Sequence, residues 1–425
     1  MIFNKELRLF FRSYWQGIFV SAMISFPYIL NAQYSAGPLY SFYGIGDIKI
    51  SGPIRTSAMG GSSIALASEN YINNLNPASL NGYDSTTFLL SAGLNGYLSS
   101  LQSRNTSETT HDLNFNHFAL GFPITKWWGS AIGLVPFSSV GYDVSITLPV
   151  EGTITNIEKQ FTGSGGVSRF YMINSFRLFK QLSLGINVSY LMGKVTQTEL
   201  NKLDIFGYSD ISVIQSRFYK NFYYELGLQF HQEFGNDRLS LGLTCSPVQK
   251  LKSRYDAQVI IEGIDTITTE PDNKHDFIMP LSVGAGIAYN INSSLEFVFD
   301  FGFQNWSDID FSATGARFVD SYHYNFGVEY LPVQKLTRNF FRSVRYRMGG
   351  YYENTYLEMR GNNIQDRGIT LGAGIPIGRQ KSSIDIALGI GQLGSLNNGL
   401  MQKTYGSIKI GFNFHDYWFI KRRFD

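Results

Sequence analysis

Side chains that could do chemistry are scattered through this sequence and form no catalytic set. The six histidines include no pair at metal-ligating spacing such as His-x-x-x-His. No Gly-x-Ser-x-Gly turn presents a serine nucleophile. The one cysteine, Cys245, excludes an internal disulfide framework, and its place on an apolar strand face indicates a small buried packing residue. The sequence therefore predicts a protein that is not an enzyme and that uses no cofactor or metal.

A second group of side chains carries charge at positions that alternate with apolar residues. They are Glu225, Glu296, Asp300, Glu329, Arg345, Arg347, Asp385 and Lys409. Alternation places them on the inner face of a sheet whose outer face is apolar. Glu329 precedes Arg345 and Arg347 by one predicted strand, so these charges could pair across neighbouring strands. Two interpretations stay open: a ladder of charges that holds strand register and anchors an internal segment, or a polar lining that contacts cargo.

Strands are the elements that would position these charges. The stretches LSLGINVSYL (residues 182–191), SLEFVFDFGF (294–303) and YGSIKIGFNF (405–414) alternate between apolar and polar or small residues, which is typical of a strand with one buried face. Such runs match the roughly 9–11 residues of a tilted membrane strand, whereas globular strands usually have about 5–6. About fourteen strands are predicted, starting near residues 86, 112, 128, 166, 182, 217, 238, 277, 294, 320, 343, 366, 383 and 404. Irregularities are expected where the apolar phase slips between His117 and Phe118, and at Pro136.

Composition favours a membrane barrel over a soluble sandwich. Aromatic residues make up 15% of the chain and charged residues only 16%, against about 25% charged residues in ordinary domains. A transmembrane barrel needs this balance, because one face of each strand meets lipid and the other meets water. Aromatic residues near predicted turns, Trp127, Trp128, Trp306 and Tyr417 to Phe419, are expected to form interface girdles. The alternative is that single members fill a core. A formal charge of +2 does not indicate a nucleic-acid partner.

The predicted connections alternate between short and long. Short turns are expected near residues 123–127, 179–181 and 234–237, and long loops near residues 151–166, 198–215 and 253–276. Short periplasmic turns opposite long external loops are usual in outer-membrane barrels. An even strand number then places both chain ends in the periplasm of a Gram-negative cell, with outer-membrane lipid around the barrel.

The first 32 residues read as a secretory signal peptide. Lys5, Arg8 and Arg12 precede an apolar stretch that ends before Asn31 and Ala32. The alternative is a membrane anchor, but Gln16, Gly17 and Pro27 interrupt the run, which is shorter than the ~20 residues that span a bilayer. Residues 33–84 are interpreted as an amino-terminal hatch inside the barrel, and residues 85–425 as the barrel itself.

The hatch segment carries a resemblance to a known family. It contains SAMGGSSIALAS (residues 57–68) and YINNLNPASLNGY (71–83), which are polar and rich in small residues. In Met59, Gly60 and Gly61, in Asn76, Pro77 and Ala78, and in the order of hatch before barrel, the chain resembles the FadL-type outer-membrane transporters. These include toluene channels and the PorV-like barrels of Bacteroidetes. The likeness spans the whole mature chain in architecture and residues 50–80 in motif.

The resemblance implies a fourteen-stranded barrel closed by a hatch, with Asn76 to Ala78 forming the hatch turn and Met59 to Gly61 packing in the lumen. It further implies passive uptake of hydrophobic small molecules, such as long-chain fatty acids or aromatic hydrocarbons, when the hatch shifts. PorV-like members instead imply a structural or shuttle subunit of an outer-membrane protein secretion or assembly complex. The predicted loop at residues 262–276 is polar, whereas uptake of hydrophobic molecules favours an apolar loop surface. The alternative of a complex subunit therefore stays open.

Overall fold

Alternation of apolar and polar residues produces strands along nearly the whole chain after Thr87. The computed structural model describes residues 39–417 except 69, 83–86, 105, 150–155, 204–208, 263–264, 269–275, 314, 333–338 and 378–380. The predicted signal peptide and the residues after 417 lie outside this range. The strands are β1 (Asp47–Ile48), β2 (Thr87–Gln102), β3 (Ser107–Thr125), β4 (Trp128–Pro149), β5 (Asn156–Arg177), β6 (Leu182–Leu203), β7 (Ile211–Phe234), β8 (Asp237–Ser246), β9 (Gln249–Ile261), β10 (Asp265–Thr268), β11 (Phe277–Met279), β12 (Ser282–Ile291), β13 (Leu295–Gln304), β14 (Ser312–Ala313), β15 (Ala316–Phe318), β16 (Ser321–Tyr330), β17 (Arg345–Met359), β18 (Asn362–Ile377), β19 (Ser382–Gly394) and β20 (Gln402–Tyr417).

Segments β2 to β20 close into an antiparallel barrel of fourteen strands, as predicted. Interruptions divide two of the barrel strands into segments. β8 and β9 form one strand, because both pair with β7. β10, β11 and β12 form the next strand, because β10 and β11 pair with β9 and β12 pairs with β8. The last strand pairs with the first, and Thr87 lies opposite Tyr417. The first and last barrel strands therefore begin and end at one end of the barrel, which we call the terminal rim, and the opposite end is called the loop rim.

Irregular pairing occurs at the two predicted places. Between β2 and β3, Gly93 pairs with His117 and Leu94 with Phe115, so Asn116 is an extra residue in a bulge. Between β4 and β5, the register shifts between Pro136 and Ser138. Proline cannot donate a ladder hydrogen bond, which explains the second irregularity.

The long loops predicted at residues 151–166, 198–215 and 253–276 are wrong in extent. Strands β4 to β7 run for 22, 22, 22 and 24 residues, at least twice the roughly 9–11 residues that cross a membrane. Their loop-side halves carry polar residues, such as Asp143 and Ser145 of β4, on the outer face. The apolar outer face that identifies a lipid-facing strand is therefore missing there.

The outer side of the barrel carries apolar residues, but one residue assigned to the predicted girdle lies inside the barrel. Trp127 is 54% exposed at the terminal rim, but Trp306 is fully buried in the interior, so its assignment to a girdle is wrong. Trp306 stacks on Tyr356 at 4.5 Å between ring centroids. Trp418 and Phe419 lie outside the described residues. Cys245 is only partly buried, so its interpretation as a buried residue is wrong.

An inner segment, residues 39–82, fills the barrel interior. It contains two 3-10 helices, η1 (Leu39–Phe42) and η2 (Pro77–Gly82), and one short helix, α1 (Ile54–Ser57). Two further 3-10 helices, η3 (Trp306–Asp308) and η4 (Asn397–Gly399), and helix α2 (Phe340–Ser343) lie between barrel strands. Among the described residues no helix has the length and apolar character to cross a membrane.

Two layers divide the interior along the barrel axis. Toward the loop rim, residues 39–48, the inner arm, pack through Tyr40 and Ile45 into an apolar cluster with Trp306, Phe318 and Tyr223. Toward the terminal rim, residues 49–82, the inner body, lie among charged and polar wall residues. The burial of apolar side chains by the arm and the polar contacts of the body together hold the segment in place.

Candidate functional site

The inner body packs against a belt of glycines in the barrel wall. A Cβ atom on Gly185 would lie 2.1 Å from the carbonyl carbon of Pro77, and one on Gly242 would lie 2.1 Å from the carbonyl oxygen of Ile64. A Cβ on Gly129 or Gly349 would also meet backbone of the inner body at 2.3 Å, and one on Gly227, Gly327, Gly372 or Gly411 would lie 2.2 to 2.6 Å from its side chains. Only residues without a side chain allow the two backbones to come this near. The sequence signal for this belt is the glycines at inward-facing strand positions. Alternation of apolar and polar residues alone does not distinguish them from other small residues.

The Met-Gly-Gly motif forms a sharp turn against this wall. Met59 is fully buried. Gly60 and Gly61 have φ angles of +67° and +91°, a region that favours glycine. The amide of Gly60 donates to Thr370 Oγ1 at 2.9 Å, and a Cβ on Gly60 would lie 2.3 Å from the carbonyl oxygen of Gly350. Glycine is therefore required at residue 60 by both conformation and space.

The Asn-Pro-Ala motif forms a second turn. Asn76 Oδ1 accepts a hydrogen bond from the amide of Ala78 at 3.0 Å, and Asn76 Nδ2 donates to the carbonyls of Ile64 at 2.6 Å and Leu228 at 3.3 Å. The carbonyl of Ala78 accepts from Ser175 Oγ at 2.9 Å. One side chain thus closes its own turn, ties two parts of the inner body together and joins them to β7.

A buried group of charges joins the inner body to the wall. We call it the ionic clamp: Arg55, Glu296, Glu329, Arg347 and Asp385. Arg55 donates to Glu296 at 2.7 Å and to both oxygens of Glu329 at 3.0 Å. Arg347, which lies directly opposite Glu329 in the β16–β17 ladder, donates to Glu329 and to Asp385, each at 2.5 Å. These charge-assisted bonds pair both arginines with carboxylates in the interior.

Arg55 and Tyr71 are the clamp contacts that the sequence analysis missed. Burial lowers the pKa of Arg55, but the Glu329 and Glu296 carboxylates outweigh it and raise the pKa above its usual value. Tyr71 OH accepts hydrogen bonds from Arg347 at 3.1 Å and from Arg345 at 3.3 Å. Arg55 is the only charged residue between Ile50 and Ser68. An isolated charge in an otherwise uncharged insert was the available signal.

The remaining predicted charges divide between the inner segment and the wall. Asp300 accepts hydrogen bonds from the amides of Ser63 and Ile64, at 2.5 and 2.8 Å. Lys409 donates to Ser57 Oγ at 3.4 Å. Glu225 does not reach the inner segment: it binds Arg169 at 2.9 Å and Asn187 at 2.7 Å within the wall.

A cavity of about 320 Å³ remains between the inner segment and the wall. The inner segment, β2, β3 and strands β16 to β20 line it. Its lining includes Tyr97 and Tyr405, whose rings meet edge to face at 6.2 Å, and the carboxyl groups of Glu353 and Asp366. Aromatic faces and hydrogen-bonding groups are both available there to a small molecule. No group of three or more His, Cys, Asp or Glu residues in the described part of the chain is arranged to hold a metal ion.

The barrel wall is broken beside this cavity. Strands β3 and β4 pair from Phe118 to Thr125 and from Trp128 to Leu134, and no further pairing joins them within the described residues. The break starts at the Asn116 bulge, and Asn114 and Asn116 line the cavity. On the other side, β1 of the inner arm pairs with Ser138 and Ser139 of β4. The inner arm therefore occupies part of the ladder that β3 leaves open.

The fold defines the class of this protein: it is a closed fourteen-stranded β-barrel with the FadL-type fold. It is similar to the CymD monoaromatic hydrocarbon channel, at 15% identity and a TM-score of 0.56 over 86% of this chain and 98% of that one. It is also similar to the Ralstonia pickettii toluene transporter TbuX, at 16% identity and 0.56 over 85% and 97%. A third neighbour is a Pseudomonas aeruginosa FadL homologue, at 11% identity and 0.54 over 88% and 99%. At these identities the likeness establishes the fold alone.

The sequence itself assigns the family. The BamG family model matches residues 15–425, so the chain belongs to the BamG family. No curated protein matches the sequence.

Proposed function

We propose that this barrel is a passive outer-membrane channel for hydrophobic small molecules, gated by the inner segment. The observation that carries the proposal is the break between β3 and β4 beside the interior cavity. Unpaired backbone groups are costly in hydrocarbon, so a break in a membrane wall is expected to have a function. A molecule in the cavity has a path through it into the membrane without crossing the inner body.

An apolar patch near the loop rim supports entry from that side. Ile211 and Ile261 lie opposite each other in the β7–β9 ladder, as do Val213 and Val259, so they share one face. Ile267 pairs with Val259 and is 58% exposed. This face continues the interior face of β9, where Leu251 is buried. A partly exposed apolar patch suits a binding surface for hydrophobic molecules, and this one lies where β7 begins and β9 ends.

The inner arm lies between this patch and the cavity and is the candidate gate. Its contacts are apolar packing of Tyr40 and Ile45 and a few hydrogen bonds, such as Tyr356 OH to the carbonyl of Gly46 at 2.7 Å. The inner body is held by the ionic clamp. We propose that the arm shifts to admit cargo while the body stays docked. In the same proposal residues 1–32 direct export and are removed, residues 33–84 form the hatch, and both chain ends are periplasmic.

Uptake by a variant that lacks Asn116 tests the channel. Deleting this bulge residue straightens β3 and lets it pair further along β4, which closes the break. We expect cells that carry the deletion to take up radiolabelled toluene and oleate no faster than cells without the barrel. Heat-modifiable migration on gels confirms that the variant folds. Uptake equal to that of the unmodified protein from a folded variant would contradict the proposed route.

A second candidate function is a structural or shuttle subunit of an outer-membrane secretion or assembly complex. The loop-side extension of β4 to β7 favours it, because these strands reach far beyond the membrane and offer a partner a large sheet surface. Mass spectrometry of the protein, extracted in mild detergent from its own membrane, separates the two functions. A stoichiometric protein partner without bound lipid or hydrocarbon supports the subunit, and bound hydrocarbon in a protein-free barrel supports the channel.

A further inference from the structure

The interior cavity holds like charges in an unfavourable arrangement. Glu353 and Asp366 lie directly opposite each other in the β17–β18 ladder, and both line the cavity. Asp47 of the inner arm is close enough to repel them both. Like charges at directly opposed positions destabilise a sheet. Carboxyl groups that destabilise the barrel at this position are expected to serve another function, such as binding a ligand.

Several hydrogen-bond acceptors around the cavity have no donor. Asp366 accepts from Tyr405 OH at 2.9 Å. Neither the side chain of Glu353 nor that of Asp47 accepts a hydrogen bond from a residue of the described chain. Both are partly exposed and line the cavity. Carboxyl oxygens that face a confined space without a protein donor suit a ligand that brings donors with it.

The charges of the cavity nearly balance. Lys49, Lys403 and Lys409 line the same space as Asp47, Asp112, Glu353 and Asp366. The lining therefore carries no large excess of either sign, and a neutral molecule with donor groups suits it. The cavity volume of about 320 Å³ exceeds the ~150 Å³ of an apolar cavity that binds benzene. One substituted ring therefore fits, with the rings of Tyr97 and Tyr405 as packing surfaces.

We propose that the cavity is a binding site for neutral hydroxylated aromatic compounds, in which ring hydroxyls donate to the carboxyl groups of Glu353 and Asp47. The inference rests on the proposed channel and names its cargo class. A plain hydrocarbon would remove water from these acceptors and return no hydrogen bond. A site built to hydrogen-bond a hydroxyl group discriminates strongly against the analogue that lacks it.

The test compares catechol with toluene as probes. The full-length protein in nanodiscs is dialysed to equilibrium against each radiolabelled compound, and binding to protein-free nanodiscs is subtracted. We expect catechol to bind at least about tenfold more tightly than toluene. Glu353→Met should reverse that preference, because it removes two acceptors and adds an apolar surface of similar size. Glu358→Met is the matched control, since Glu358 lies on the same strand but pairs with Arg317 on the outside.

Two results would overturn the site: toluene binding as tightly as catechol, or an unchanged preference in a folded Glu353→Met variant. A reversal that the control does not share supports it, because general loss of structure would weaken both compounds alike. If toluene crosses the membrane through the break and catechol shows no preference, the channel stands and the site fails. If neither compound crosses while catechol binding depends on Glu353, the site stands and the channel fails.

Discussion

Replacing Arg55 by methionine should release the inner body from the barrel wall. Arg55 is 6% exposed and joins the inner segment to two wall carboxylates. Methionine keeps much of the apolar volume of the side chain and removes its charge. Glu329 keeps Arg347 as a partner in the variant, whereas Glu296 loses the cation it binds. The main cost is therefore the stranded Glu296 carboxylate.

The size of this cost follows from burial. Glu296 is 7% exposed, and removing one partner from a buried ion pair costs about 3–5 kcal/mol. The undocked population of the inner segment should therefore rise by roughly 10²- to 10⁴-fold. A second change, Glu296→Gln, removes the stranded charge and should restore part of the docking free energy. The double variant is thus expected to lie between Arg55→Met and the unmodified protein.

Single-channel conductance in planar bilayers measures this release. Deleting residues 37–81 should leave a folded barrel with raised conductance and provides the upper reference. We expect Arg55→Met to show frequent openings toward that level, and the double variant fewer. Arg317→Met is the matched control, because it breaks an exposed ion pair with Glu358 and should leave conductance unchanged.

Two results would refute this reasoning. One is a folded Arg55→Met variant whose conductance equals that of the unmodified barrel although the deletion raises it, which would mean that the clamp does not hold the segment. The other is a double variant that opens as often as Arg55→Met, since the cost would then not arise from Glu296.

Further predictions concern the contacts around the clamp and the apolar layer. Gly185→Val should displace the inner body at a cost of about 1–3 kcal/mol, because the added Cβ would lie 2.1 Å from the carbonyl carbon of Pro77. The displacement should raise the conductance. Gly406→Val, which has open space around the added Cβ, should leave the conductance unchanged. Asp300→Ala leaves two backbone amides of the inner segment without their acceptor, so their hydrogen exchange should speed up, consistent with a loss of about 1–3 kcal/mol. Trp306→Ala empties the centre of the apolar layer and should lower the stability by about 3–5 kcal/mol, measured by thermal unfolding in detergent.

The number of strands and two of the places of irregular pairing could be predicted because they depend on local pattern. An apolar face every second residue identifies a strand wherever the outer face meets lipid. The phase slip at His117 and Phe118 reflects the single extra residue that the structure places at Asn116. The adjacency of Glu329 and Arg347 needed only that their two strands be neighbours in the sheet.

The extent of the loop-side strands could not be predicted, because their outer face is polar and their apolar residues, such as Ile211 and Val213, lie on the inner face. Trp306 was assigned to the membrane interface because it follows the end of a strand. In the sequence, a tryptophan at such a position can belong to a girdle or turn into the barrel interior. Only its packing on Tyr356 and Phe318 separates the two.

The sequence by itself determined a closed β-barrel of about fourteen strands with a small, polar, glycine-containing segment ahead of it, since composition and period two are properties of neighbouring residues. The tertiary structure alone decided which groups meet across the lumen. Arg55 reaches Glu296 and Glu329 over 241 and 274 residues of chain, and the break between β3 and β4 borders the cavity. Such contacts depend on how the closed barrel brings distant strands around one axis, and no local pattern records that geometry.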